Sequence, residues 1–133
     1  MKYLFSLLFL VILSAPVVAQ VSDKGAPELS IEETTHEFGA IAQGVVVEHT
    51  FRFSNTGDAP LIISSAIGSC GCTVPIWPKE PIMPGNEGEI KVSFNSEGKY
   101  GLQDKTVTIN YNTDSGPVIL HMKGKVERMT SSE

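Results

Sequence analysis

The run Val45 to Ser54, VVVEHTFRFS, alternates apolar or aromatic side chains with polar ones and is followed at once by Asn55-Thr56-Gly57-Asp58-Ala59-Pro60. Val45, Val47, His49, Phe51 and Phe53 fall on one face and Val46, Glu48, Thr50, Arg52 and Ser54 on the other, the period of two of a half-buried strand. The face carrying the phenylalanines therefore has to be covered by a second layer. The next six residues carry turn chemistry: side-chain-to-backbone bonding at Asn55 and Asp58, a left-handed φ at Gly57, and a proline ahead of the next ladder. The pattern predicts a hairpin whose return strand carries Leu61, Ile63, Ser65 and Ile67 inward, although the apolar Ile62 blurs which face is wet. The stretch ends in Cys70-Gly71-Cys72-Thr73, where strand pattern and reactive side chains meet.

The remaining chain repeats the strand theme. Leu29 and Ile31, then Thr35 and Glu37 with Phe38-Gly39, read as a broken first strand, with Gly39 and Gly44 bracketing a turn. Ile90, Val92 and Phe94 alternate with Glu89, Lys91 and Ser93; Val107, Ile109 and Tyr111 with Thr106, Thr108 and Asn110; Val118, Leu120 and Met122 with Ile119, His121 and Lys123. No helical period of useful length follows residue 20. Six or seven short strands about ten residues apart, each with its turn signal, predict an all-β, two-sheet antiparallel sandwich of about seven strands, to which the resemblance given below adds an immunoglobulin-like character. Pro75, Pro78, Pro81 and Pro84 recur at every third position, the period of polyproline II. They are read as a stiff crossover from one sheet to the other, with Trp77, the only tryptophan, packed over the core.

The ends of the chain read differently. Met1-Lys2, the apolar run Tyr3 to Leu13 and the small residues up to Ala19 have the layout of a secretory signal. Residues 1–19 are expected to be removed, 20–26 to form a short linker, 27–127 the sandwich domain and 128–133 a polar tail. The apolar run is shorter than the roughly 20 residues of a spanning helix, so the expectation is a secreted or periplasmic protein of the bacterial envelope with no integral membrane segment after cleavage. The formal charge is −5, and losing Lys2 makes it more negative. Such a surface repels phosphate backbones, which excludes nucleic acid as a partner.

Reactive chemistry is sparse. His36, His49 and His121 stand outside any recognisable motif; Gly68-Ser69-Cys70-Gly71 lacks the glycine spacing of a nucleophile elbow, and no glycine loop precedes a helix. The chain is therefore read as no enzyme. The cysteines leave three readings open. Cys70, Gly71, Cys72 and Thr73, with Trp77, form an interaction surface at a loop end; or Cys70 and Cys72 are a redox pair or a soft-metal site, where two thiolates suit Cu(I) better than zinc; or they are small buried hydrophobes. In an extended strand the two would lie about 6.6 Å apart, at the far limit of disulfide reach, a gap that a bend at Gly71 can close. A three-residue loop would contribute only about 1.6 kcal/mol in the chain-entropy relation, which the strain of off-ideal geometry outweighs. A Cys70 to Cys72 staple is therefore not expected, and a bridge that did form should be easily reduced.

Several of these segments together carry a resemblance. Phe38-Gly39 with Ile41 and Gly44, His49-Thr50-Phe51-Arg52-Phe53-Ser54-Asn55-Thr56-Gly57, Pro60-Leu61, Cys70-Gly71-Cys72-Thr73, Pro84-Gly85 and Ile90-Lys91-Val92-Ser93-Phe94 resemble the exported bacterial proteins classed as domain of unknown function 1573. The similarity covers nearly all of the chain beyond residue 19. The family in turn looks like the immunoglobulin-like modules that include the major sperm protein and cilium-associated domains. That likeness implies an exported, non-catalytic binding or scaffolding module acting on an unknown protein or envelope component.

Overall fold

The computed structural model describes residues 25–129, so the expected signal, the first part of the linker and the end of the polar tail lie outside the described residues. Eight strands follow one another: β1 (Leu29–Ile31), β2 (Thr35–Ala42), β3 (Val46–Asn55), β4 (Ile63–Gly68), β5 (Thr73–Ile76), β6 (Glu87–Asn95), β7 (Gly101–Tyr111) and β8 (Val118–Glu127). They make two four-stranded sheets, ordered β1-β3-β6-β5 and β2-β8-β7-β4. The fold is an all-β, immunoglobulin-like sandwich, with no helix among the described residues and thus none long and apolar enough to cross a membrane. The strand beyond the expected seven is β5, which Pro75 hides from a sequence reading. It lies at a sheet edge, where a missing N–H need not pair.

The alternation read from the sequence is the packing. Phe51 and Phe53 of β3 and Ile90, Val92 and Phe94 of β6 lie buried against Val107, Ile109, Leu120 and Met122 of the other sheet. Thr50 and Arg52 face solvent on the reverse side. There Arg52 pairs with Glu89 at 3.3 Å and Lys91 with Glu48 at 3.5 Å, both exposed and so of small energetic weight. Tyr111 and Val118, expected inside, are only partly buried.

Several expectations of connectivity are corrected. β3 and β4 do not form a hairpin: β3 pairs with β1 and β6, β4 with β7, so residues 56–62 carry the chain from one sheet to the other. Gly57 does not take a left-handed φ. It is glycine because residues 26–28 cross directly over it, where a Cβ would stand 2.6 Å from Glu28 N. The proline run is not the crossover either, since β5 and β6 are antiparallel neighbours in one sheet and residues 77–86 join them. After β4 the chain returns to the first sheet instead at Ser69–Cys72, between β4 and β5. A register irregularity between Ile63 and Ser65 shifts the phase of β4, burying Ala66 and leaving Ile67 59% exposed, against the expected inward Ile67. The broken first strand is two strands in two sheets, and β2 pairs with β8 in parallel, with a bulge between Glu37 and Gly39.

Asn55 holds the crossing between β3 and β4. It is fully buried, and its Oδ1 accepts from Glu28 N (3.2 Å) and Gly57 N (3.0 Å). Its Nδ2 donates to Ala59 O (2.7 Å) and Ile82 O (2.9 Å). One amide thus bonds four backbone groups of the crossing; Ile82 O also accepts from Leu61 N at 2.8 Å.

Candidate functional site

β4 ends at Gly68 because the chain must fold back on itself there. A Cβ at Gly68 would run into the backbone oxygen of Thr73 and stand 3.2 Å from its side chain, so only glycine lets the start of β5 pass so close. Ser69 is tied to β7 in both directions, its N donating to Thr106 O at 2.8 Å and its Oγ accepting from Thr106 N at 3.1 Å. On the other side Asn95 N of β6 donates to Cys72 O at 2.9 Å, and Thr73 N closes the turn onto Cys70 O at 3.2 Å. The turn is thus anchored to both sheets.

Within it Cys70 and Cys72 are joined by a disulfide, their Cα atoms 5.2 Å apart. The cysteines sit in a turn, not along an extended strand, and the bend at Gly71 brings them within disulfide reach. Gly71 is exposed, with nothing within 4 Å of where its Cβ would be. The hydroxyl of the buried Thr73 lies 3.5 Å from Cys70 Sγ and 3.8 Å from Cys72 Sγ. With both sulfurs bridged, that hydroxyl is the only available donor of the three groups. Beside the turn, on the outer face of the β5-β6-β3 sheet, lies a shallow hollow of about 410 Å³ lined by Gly71, Cys72, Val74, Val46, Asn95 and Lys99 among others. Val46 and Val74 are each more than half exposed there.

Of the five residues proposed for an interaction surface, the structure brings together four, Cys70, Gly71, Cys72 and Thr73. Trp77 follows the far end of β5 and lines a different hollow with Ile76, Pro78 and Ile82. It packs against the core, and Lys79 Nζ stands 3.0 Å from its ring centroid, a cation–π contact. A Cu(I) site at Cys70 and Cys72 needs both sulfurs as thiolates, so in this chain it requires the reduced form of the turn.

A second cluster escaped the sequence reading. His36 of β2 and His49 of β3 stack with ring centroids 3.7 Å apart and planes 9° apart, and His49 meets Phe51 edge-on at 4.7 Å. Glu33, in the link between β1 and β2, places Oε2 3.7 Å from His49 Nε2. Burial, and after it the neighbouring His36, pulls the His49 pKa below its usual 6.5, with Glu33 opposing. His36 and Phe38 share the inner side of β2, a phase that the outward Glu37 marks and that the reading of Thr35 and Glu37 as the strand's pattern missed. His121, by contrast, pairs with Asp104 on its own sheet, Nδ1 to Oδ1 at 2.8 Å.

Comparison with known proteins adds a family and a fold. A family model described as a protein of unknown function (DUF1573) matches residues 29–126. Among solved structures the chain is similar to a protein of unknown function from Porphyromonas gingivalis W83, with a TM-score of 0.62 and 18% identity over 76% of this chain and 46% of that one. It is similar to the secreted serine protease VesC from Vibrio cholerae, with a TM-score of 0.57 and 15% identity over 74% of this chain and 23% of that one. It also resembles the ASH/PapD-like domain of human CEP192, with a TM-score of 0.55 and 11% identity over 77% and 87% of the two chains. The chain spans less than half the length of the first two, and at such identities the likeness is one of fold alone. No curated protein matches the chain.

Proposed function

The chain belongs to the DUF1573 family of proteins of unknown function, and from that premise we propose that it is an exported, non-catalytic binding or scaffolding module whose contact surface is the Cys70–Thr73 turn. The observation that carries this reading is the build of that corner. A turn tied to both sheets and closed by a disulfide holds Gly71 out into solvent beside the exposed Val46 and Val74. A contact loop that is already ordered loses little conformational entropy when a partner docks, which is how a small patch can bind usefully. The absence of a Cβ on Gly71 allows a partner's backbone to approach closely. A disulfide in a small domain also fits export to an oxidising compartment. The partner is an envelope component, and protein is the class best suited to a patch of two valines rimmed by Asn95 and Lys99.

Two measurements test this. The intact mass of native protein should correspond to a chain beginning at Gln20 and recovered outside the cytoplasm; a mass retaining residues 1–19 sinks the soluble exported module. A photo-crosslinking residue at Val74 should yield a discrete adduct in the intact envelope, whereas the same residue at Glu37, on the far edge of the other sheet, should not. Equal labelling from both positions removes the turn as the contact surface.

The bridged cysteines favour one alternative, a thiol role. In an exchange with an external dithiol, the Cys70–Cys72 bond breaks, both sulfurs end as thiols, and the donor takes up the disulfide, so that two electrons and two protons pass to this chain. The reduced pair is also the form that would capture Cu(I). Stoichiometric Cu(I) binding by reduced protein, abolished in the Cys70→Ser/Cys72→Ser double variant, would move the assignment from docking surface to thiol site.

A further inference from the structure

The side of the sandwich away from the cysteine turn is open in an uneven way. β1 pairs with β3 only at Phe53 to Asn55, so the earlier half of β3 has no neighbour on that side, and the β1–β2 link crosses to the other sheet in front of it. Glu33, His36 and His49 converge in this gap, from the link, from β2 and from β3. One donor atom from each lies within 4.8 Å of the others. His49 Nε2 is buried and has no hydrogen-bond partner, the Glu33 oxygen at 3.7 Å being beyond hydrogen-bond range. A buried polar atom without a partner is costly and uncommon, and a bound cation in front of it would supply what is missing.

We infer that Glu33, His36 and His49 form a binding site for a single divalent late-transition cation of the zinc(II) or copper(II) class. Two imidazoles and one carboxylate are the donor set such ions prefer, and three protein ligands leave coordination positions open to water. The site needs no thiolate, so it is chemically separate from the cysteine turn at the opposite edges of both sheets. Ligand bonds of 2.0–2.1 Å in tetrahedral geometry place donor atoms about 3.3 Å apart, so the cluster draws in by about 1 Å on loading. The parts able to move are identifiable. His49 is fixed against the edge of Phe51, whereas Glu33 is exposed on a link between strands and has 58% of its side chain in solvent. Parallel rings cannot both aim a lone pair at one ion, so loading turns His36 out of the stack.

The test uses untagged protein as isolated, stripped with chelator and titrated separately with zinc chloride and copper sulfate in a calorimeter. One equivalent should bind with micromolar or tighter affinity. His36→Gln and Glu33→Gln should each weaken binding by about tenfold or more, while His121→Gln and the Cys70→Ser/Cys72→Ser double variant should leave it unchanged. Melting curves establish that each variant is folded; both altered side chains are partly or largely exposed. In the parent, the ring signals of His36 and His49, but not of His121, should shift in NMR spectra on adding zinc. Absence of saturable binding, binding that survives His36→Gln, or binding lost with His121 or the cysteines overturns the assignment.

Discussion

Two of the turns by which the chain changes sheets, at residues 56–62 and at Ser69–Cys72, are built on opposite plans. At residues 56–62 the corner is held from within: the buried Asn55 amide bonds to Glu28, Gly57, Ala59 and Ile82, and residues 26–28 press onto Gly57. At Ser69–Cys72 the corner is closed by a covalent bridge around one exposed glycine, and backbone bonds from Ser69 to β7 and from Cys72 to β6 tie it down. The first ties together segments far apart in sequence, so its loss is felt across the fold. The bridge of the second closes a loop of only three residues at the margin of the core, where Cys72 is partly buried, so it can be altered with little effect on stability. That difference explains how one corner can be structural and the other left free for contact or chemistry.

The comparison can be broken by urea unfolding of four variants. Asn55→Ala should show the largest loss, about 4 kcal/mol, because it takes the side-chain partner from Glu28 N, Gly57 N and Ala59 O at about 1–3 kcal/mol each, partly relieved by water, while Ile82 O keeps Leu61 N. That is as much as removing a fully buried ring such as Phe94. Gly57→Ala should follow at about 2–3 kcal/mol, since the Cβ meets backbone that cannot yield without displacing residues 26–28. The Cys70→Ser/Cys72→Ser double variant should remain folded and lose no more than about 1.6 kcal/mol, the chain-entropy value for so short a loop. Reductant alone should have the same effect on the parent. Unfolding by reductant would make the bridge a staple and erase the contrast between the two corners. Gly71→Ala should be nearly silent, within about 0.5 kcal/mol, because its Cβ meets nothing and its φ is not left-handed. The same variant is then the cleanest probe of the proposed contact surface: binding should fall while the melting curve stays in place.

Particular residues show why some features could be read early and others not. Phe51, Phe53, Ile90, Val92 and Phe94 were legible because alternation is a local property of a strand and burial follows directly from it. Ile67 was not, because an irregularity between Ile63 and Ser65 inverts the phase of β4, and nothing in the side chains there announces it. Gly57 was read as a left-handed turn residue, yet it answers to a steric demand from residues 26–28, about thirty positions earlier. The disulfide was legible only in part: strand spacing put the cysteines at the limit of reach, and whether Gly71 bends to close the gap is decided by a turn that changes sheets.

By itself the sequence determined an all-β domain, the inward faces of β3, β6, β7 and β8, and two cysteines one residue apart, all consequences of neighbours within a few residues. The tertiary structure alone decided which strands share a sheet, where the crossings fall, and that Glu33, His36 and His49 meet. His36 and His49 belong to different sheets, pair with different strands, and become neighbours only because a short β1 abandons the edge of β3 and the link carrying Glu33 crosses that opening. Strand patterning encodes which face is wet, since that depends on the pleat, but long-range pairing depends on how loops close and which edges remain uncovered, which no local period records.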